Sequence, residues 1–250
     1  MKNNRNNRAV YILPNLFTTA NIVAGFYSIL AAHNGNFLLS AWAIIFAVLF
    51  DNLDGKVARL THTESQFGVE YDSLSDLISF GVAPSFLVYT FVLNDFGRLG
   101  IIASFLFLLT GALRLARFNV QNSHRDSFIG LPIPGGAAVI ASLIIVSMRY
   151  GIDSHKYDVF FLVMTYILAF LMISTVKFRS LKSKGTTEKI SIRTFALIIL
   201  FLSLLVFKPY IFIPAIAIIY MISGPVEYLY KVLIRIKGGV AYERKKNNYI

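Results

Sequence analysis

The chain has no cysteine, which excludes disulfides, thiolate metal sites and cysteine nucleophiles. Charge is scarce: Asp, Glu, Lys and Arg make up 15% of the 250 residues, too little to cover an ordinary globular surface. Acidic residues are the rarer sign, 13 against 24 basic, leaving a net charge of +11. Tryptophan occurs once, at Trp42. No internal repeat stands out. None of His33, His62, His124 and His155 begins a His-x-Lys pattern, which removes a covalent route through a histidine of that kind.

What is present instead is apolar sequence, 56% of residues with a mean hydropathy of +0.64. Segments of spanning length fall at about 14–32, 37–58, 71–93, 99–117, 130–149, 158–176, 192–207 and 209–226. Lys208-Pro209 reads as a tight turn between the last two, and Gly81 and Pro84 as a kink in the third. The expected fold is therefore an all-α, polytopic membrane bundle of about eight helices. Residues 1–226 are expected to form a single transmembrane domain and 227–250 a basic tail. Lys2, Arg5 and Arg8 precede a first apolar stretch that carries Pro14 and Asn15 and no small-residue cleavage site, so it reads as a retained span.

Eight spans put both termini on one side, and charge tests that arrangement. All of the 24 basic residues except Arg98, Arg149, Lys156 and Lys208 then fall on the side of the termini, which the positive-inside rule makes cytoplasmic. The membrane in question is the cell membrane. Basic residues come in short clusters between spans and form no single face with interleaved aromatics, so nucleic acid is not an expected partner.

The acidic residues are few, and four of them are placed in a pattern: Asp51-x2-Asp54-Gly55-x2-Ala58-Arg59-x8-Gly68-x3-Asp72-x3-Asp76. On helices each Asp pair lines one face, so two neighbouring helices can converge four carboxylates. Four aspartates at membrane depth cost on the order of 10 kcal/mol. A water-accessible cavity at the membrane surface, with divalent cations between the carboxylates, offsets that cost. Asp oxygens are hard ligands for Mg2+ or Mn2+, and two such ions neutralise a pyrophosphate and polarise its phosphorus. Gly55 and Gly68 leave room for a nucleotide or pyrophosphate, and Arg59 can grip phosphate oxygens in a fork. One carboxylate can take a proton from an attacking alcohol. The pattern describes phosphoryl transfer at a membrane surface.

At all eight specified positions this segment resembles the signature of the CDP-alcohol phosphatidyltransferase family. The segments 13–21, 80–84, 111–119 and 130–136 are further similar to the branch of that family whose acceptor is serine. The resemblance implies a six-helix core, a homodimer, and a cavity open to the cytoplasm and sideways to membrane lipid. It implies Asp51, Asp54 and Asp72 as metal ligands, with Asp76 both ligand and general base. Gly55, Arg59 and Ser65, with Ala58 and Gly68 shaping the wall, are implied to contact the CDP-lipid, and Pro14, Asn15, Leu16 and Phe17 to border the same pocket. The implied reaction joins CDP-diacylglycerol and L-serine to give phosphatidylserine and CMP, by direct attack at the β-phosphorus. For the acceptor, Arg114 and Arg117 at the end of the fourth span, with Asn119 beside them, are the candidate serine contacts; an Arg there also suits the helix dipole and the cytoplasmic charge bias.

Two other readings stay open at this point. The same chemistry serves a different alcohol, such as glycerol 3-phosphate or inositol phosphate, or an archaeal CDP-lipid. A cation transporter also explains carboxylates in a membrane, although no repeat is visible and the aspartates gather at one face.

Overall fold

The computed structural model describes residues 4–61, 65–120, 127–152, 156–179, 203 and 207–247. Helix α1 (Asn4–His33) turns through Asn34 to Asn36 into α2 (Phe37–Thr61). Gly35 takes φ +75° there, and Asn36 N–H closes the turn on Ala31 O at 2.8 Å. The two helices lie along one another, and Ser28 Oγ meets Ser40 Oγ at 2.8 Å between them. Next comes α3 (Gln66–Asp76), capped by Ser65, whose Oγ accepts from Gly68 N at 3.0 Å.

The chain then passes through one π-helical turn (Leu77–Val82) straight into α4 (Ala83–Phe91). This continuous Gln66–Phe91 segment starts earlier than the expected 71–93 span, and a π turn stands just ahead of Pro84. Pro84 has no N–H to return to residue 80, so the ladder shifts: Ala83 N–H reaches back to Ile78 O. Ser85 Oγ donates to the Gly81 carbonyl at 2.7 Å and satisfies it.

A 3-10 turn (Leu93–Phe96) and Gly97 lead into α5 (Arg98–Val120). A short ribbon of β1 (Ser127–Ile129) and β2 (Lys177–Arg179) pairs antiparallel with Phe128 opposite Phe178. It brackets α6 (Ile133–Arg149) and α7 (Asp158–Ile173), and the long α8 (Pro209–Asn247) packs on α6. Helix α8 continues through residue 227 to Asn247 without a break.

The core is built from Ile44, Phe80, Phe107, Ile133, Ile144, Leu168 and Met172, all buried. Glycines let the helices close up. A Cβ on Gly111 would lie 2.6 Å from Ile133 Cδ1, and one on Gly136 would run into Met172 Cε. The outward faces are apolar too, with Phe26, Phe46, Leu49, Phe105 and Phe170 all exposed. That is a lipid-facing surface, not an aqueous one. Pro14–His33, Phe37–Thr61, Gln66–Phe91, Arg98–Val120 and Pro209–Lys231 are long and apolar enough to cross a membrane. Ile133–Arg149 and Asp158–Ile173 are shorter apolar helices. The protein is thus an all-α polytopic membrane bundle, as its hydropathy predicts. Seven of the expected spans have a helix; the one at 192–207 lies outside the described residues apart from Ser203 and Phe207.

Candidate active site

Asp51 sits in the fourth turn of α2, Asp72 and Asp76 one turn apart at the end of α3. A carboxylate oxygen from each lies within 4.8 Å of the other two. Three like charges at that spacing repel strongly unless cations lie between them. Three hard oxygen donors on two rigid helices, half-buried at Asp51 and Asp72 and buried at Asp76, match what Mg2+ or Mn2+ requires. The four expected ligands are therefore not equivalent. Asp54 is outside that group of three and only 5% exposed, and its Oδ2 accepts from Thr18 Oγ1 at 3.1 Å.

Helix α1 supplies the polar surroundings. Thr18, Asn21 and Gly25 follow at helical spacing on the face toward α3 and the π turn. Asn21 Nδ2 reaches Asp76 Oδ1 at 3.5 Å, while Asn21 Oδ1 is buried with no hydrogen-bond partner. Ser75 Oγ donates to Thr18 O at 3.1 Å and Ser79 Oγ to Asn21 O at 2.9 Å. Beside them, Thr19 Oγ1 and Tyr71 OH meet at 3.0 Å. Gly25 permits this closeness, because a Cβ there would lie 2.7 Å from Ser79 Cα. The π turn begins at the residue after Asp76, so the irregular backbone and the carboxylate are adjacent. Residue spacing among the aspartates does not reveal Thr18 and Asn21. The signal for them is a polar triplet, Thr18, Thr19 and Asn21, inside an otherwise apolar span.

The expected nucleotide contacts are placed as follows. Gly55 is half-buried, and the one atom within 4 Å of a Cβ built there is Arg59 Nη1 at 3.7 Å. Arg59 is exposed and Ala58 half-buried on the same helix. Gly68 faces Asn15, whose Oδ1 would be 3.8 Å from a Gly68 Cβ, and Ser65 at 3.1 Å. Pro14 is buried and its carbonyl accepts from Thr18 at 3.2 Å. Phe17 is half-buried, whereas Leu16 is exposed and opens onto an apolar groove of about 600 Å³ between α1 and α2, lined also by Val23, Tyr27, Leu39, Trp42 and Phe46.

The three candidate serine contacts are not brought together. Arg114 is buried on α5, close enough to Asp76 for their charges to interact. Arg117 is exposed. Asn119 is engaged with α3: Ser73 Oγ donates to its Oδ1 at 3.2 Å, and its Nδ2 donates to Glu70 Oε2 at 3.3 Å. That pair of bonds fastens α5 to the turn of α3 that carries Asp72.

A helical membrane bundle that focuses carboxylates from two helices, beside an arginine and a glycine-lined approach, is a membrane enzyme built to handle phosphoryl groups. The sequence model of the family described as CDP-alcohol phosphatidyltransferase matches residues 11–173, and the chain belongs to that family. It is 38% identical over 223 residues to a Helicobacter pylori CDP-diacylglycerol–serine O-phosphatidyltransferase, covering 88% of this chain and 92% of the relative. An archaetidylserine synthase of Methanothermobacter thermautotrophicus is 36% identical over 75% of this chain and 78% of its own length. The fold is similar to that of Mycobacterium tuberculosis phosphatidylinositol phosphate synthase in a crystal structure with CDP-DAG bound. There the TM-score is 0.50 at 21% identity, over 73% of this chain and 92% of that one.

Proposed function

We propose that this enzyme transfers a phosphatidyl group from CDP-diacylglycerol to the hydroxyl of L-serine, giving phosphatidylserine and CMP. The observation that carries the reading is the convergence of Asp51, Asp72 and Asp76 in a chain whose relatives, along most of their length, are named for that transfer. Mg2+ or Mn2+, two ions by the number of carboxylates, would neutralise the pyrophosphate and polarise the β-phosphorus, held by Asp51, Asp72 and Asp76 with Asp54 completing the set.

The chain's own residues do the rest. Arg59 and the open backbone at Gly55 receive the pyrophosphate, with Ala58, Ser65 and Gly68 forming the wall toward the cytidine. Pro14 to Phe17 border this pocket, and the apolar groove beyond Leu16 leads away along the lipid-facing side of α1 and α2. Asp76, held by Asn21, takes the proton from the serine hydroxyl. That oxygen attacks the β-phosphorus, a new P–O bond forms, the bond to CMP breaks, and CMP leaves with the electron pair. Attack is direct, with no phospho-enzyme.

The site opens at the cytoplasmic face of the cell membrane, with both termini on that side, residues 1–226 acting as one catalytic unit and 227–250 as a basic cytoplasmic extension of α8. The enzyme works as a homodimer. An archaeal CDP-lipid is the second reading for the donor, favoured by the archaetidylserine synthase relative. CMP release decides: purified enzyme with Mg2+ and CDP-diacylglycerol releases CMP with serine and not with glycerol 3-phosphate or inositol phosphate. Chelation by EDTA stops it and Mg2+ or Mn2+ restores it. No release with serine, from either a diacyl or an ether-linked CDP-lipid, overturns the reading.

A further inference from the structure

Arg114 is 9% exposed and its Nε is buried with no hydrogen-bond partner. A buried guanidinium N–H with no partner is unfavourable, and an anion beside it would satisfy it. Its electrostatic neighbours are Tyr220 and Asp76.

The helices around Arg114 pack closely. Gly111, one turn before it, is pressed against Ile133, and the same Ile133 Cδ1 lies 3.7 Å from the Cβ position of Gly81, in the π turn after Asp76. Ile133 is the first residue of α6, which has no side-chain cap. The start of α6 therefore lies between the turn of α5 before Arg114 and the π turn after Asp76, and the amides of Ile133 and Gly135, Pro134 having no N–H, are at the positive end of its dipole. Tyr220 lies against the same first turn of α6. Its Cε1 is 3.2 Å from where a Gly135 Cβ would stand, and the Phe178 ring holds it at a centroid distance of 5.9 Å. Tyr220 belongs to α8, which lies beyond residue 173, where the family match ends.

We propose that Tyr220 is an acceptor-specificity residue: together with Arg114 and the first turn of α6 it forms the subsite for the α-carboxylate of an amino-acid acceptor. This rests on the serine reading above. A carboxylate takes two hydrogen bonds from the guanidinium fork and one from the tyrosine hydroxyl. In serine the hydroxyl oxygen is three bonds from the carboxyl carbon, so a carboxylate held at Arg114 leaves that hydroxyl directed toward Asp76. A phosphorylated acceptor carries more negative charge than one guanidinium matches, and the other residues at the start of α6 and around Tyr220 are the apolar Ile133 and Phe178. The helix outside the family match thus selects the alcohol, while the matched helices handle the CDP-lipid.

The test is Tyr220→Phe in the full-length enzyme, which keeps the ring on Gly135 and Phe178 and removes only the hydroxyl. CMP release is measured with serine and with serinol, which has no carboxylate. Losing one hydrogen bond to a charged group raises KM for serine about 10-fold, leaves KM for CDP-diacylglycerol unchanged, and lowers the preference for serine over serinol by a similar factor. The preference is a ratio of kcat/KM values, so it is independent of how much of the variant is folded. An unchanged serine KM with an unchanged serine-to-serinol preference overturns the proposal and reduces Tyr220 to packing. If the unaltered enzyme releases CMP with a carboxylate-free alcohol and not with serine, both this proposal and the serine reading fail. Activity of the unaltered enzyme with serine, beside an indifferent Tyr220→Phe, sinks this proposal alone.

Discussion

Two helix interfaces in this bundle are held together in different ways. Between α1 and the α3–π-turn segment, Thr18, Asn21, Ser75 and Ser79 are buried and joined by hydrogen bonds that cross from helix to helix. Between α5, α6 and α7, glycines accept large apolar side chains, Ile133 over Gly111 and Met172 over Gly136. In lipid, neither interface gains from the hydrophobic effect as it would in water, so close packing and polar bonds must do the holding. The polar interface is stiff, with Gly25 set on the Ser79 backbone; the apolar one is cushioned by side-chain ends that can rotate. The carboxylates sit on the stiff side. A site that must keep oxygens within a fraction of an ångström of a cation's preferred geometry gains from that placement.

Breaking this contrast is straightforward, starting with the carboxylate itself. Asp76→Asn keeps the shape of the buried side chain but removes the proton acceptor, and CMP release falls by about 10³-fold or more while helix content by circular dichroism holds. Turnover that survived would remove Asp76 as base. Gly25→Val comes next: its Cβ alone would lie 2.7 Å from Ser79 Cα, so thermal unfolding in detergent shows a loss of about 3 kcal/mol, and activity drops with it. Thr18→Val is nearly isosteric and leaves Asp54 without its hydroxyl donor. The Mg2+ concentration for half-maximal CMP release then rises about 10-fold, at little change in melting temperature. On the cushioned side, Gly111→Ala asks only that the Ile133 side chain move aside, and costs about 1 kcal/mol by the same unfolding measurement. The smallest effect belongs to the Ser28–Ser40 bond, where a double-mutant cycle to alanine returns a coupling of about 0.6 kcal/mol. If Gly111→Ala proved as damaging as Gly25→Val, the distinction between stiff and cushioned interfaces would fail.

Much of this architecture was legible in one dimension. Apolar run length marks where the described spanning helices lie, because a helix of known rise must match the bilayer thickness. Helical spacing places Asp72 and Asp76 on one face of α3, and they do converge with Asp51. The Pro84 irregularity was legible as a position but not as a form, since a proline can kink a helix or sit behind a π turn, and here Ala83 N–H reaches back to Ile78 O while Ser85 Oγ bonds the Gly81 carbonyl. Arg114, Arg117 and Asn119 stand near one another in sequence. On α5 they point different ways, Arg114 inward, Arg117 outward and Asn119 onto α3.

By itself, then, the sequence determined the class of the molecule and the chemistry of its reacting groups. Hydropathy depends on composition, and carboxylate spacing along a helix depends only on a constant 3.6-residue turn. Tertiary structure alone decided which carboxylates meet, that Asp54 turns to Thr18, and that Tyr220 of α8 comes within electrostatic reach of Arg114, more than a hundred residues away in sequence. Those outcomes depend on how each helix is rotated about its own axis against its neighbours, and that rotation is set by contacts between segments, which no local spacing encodes.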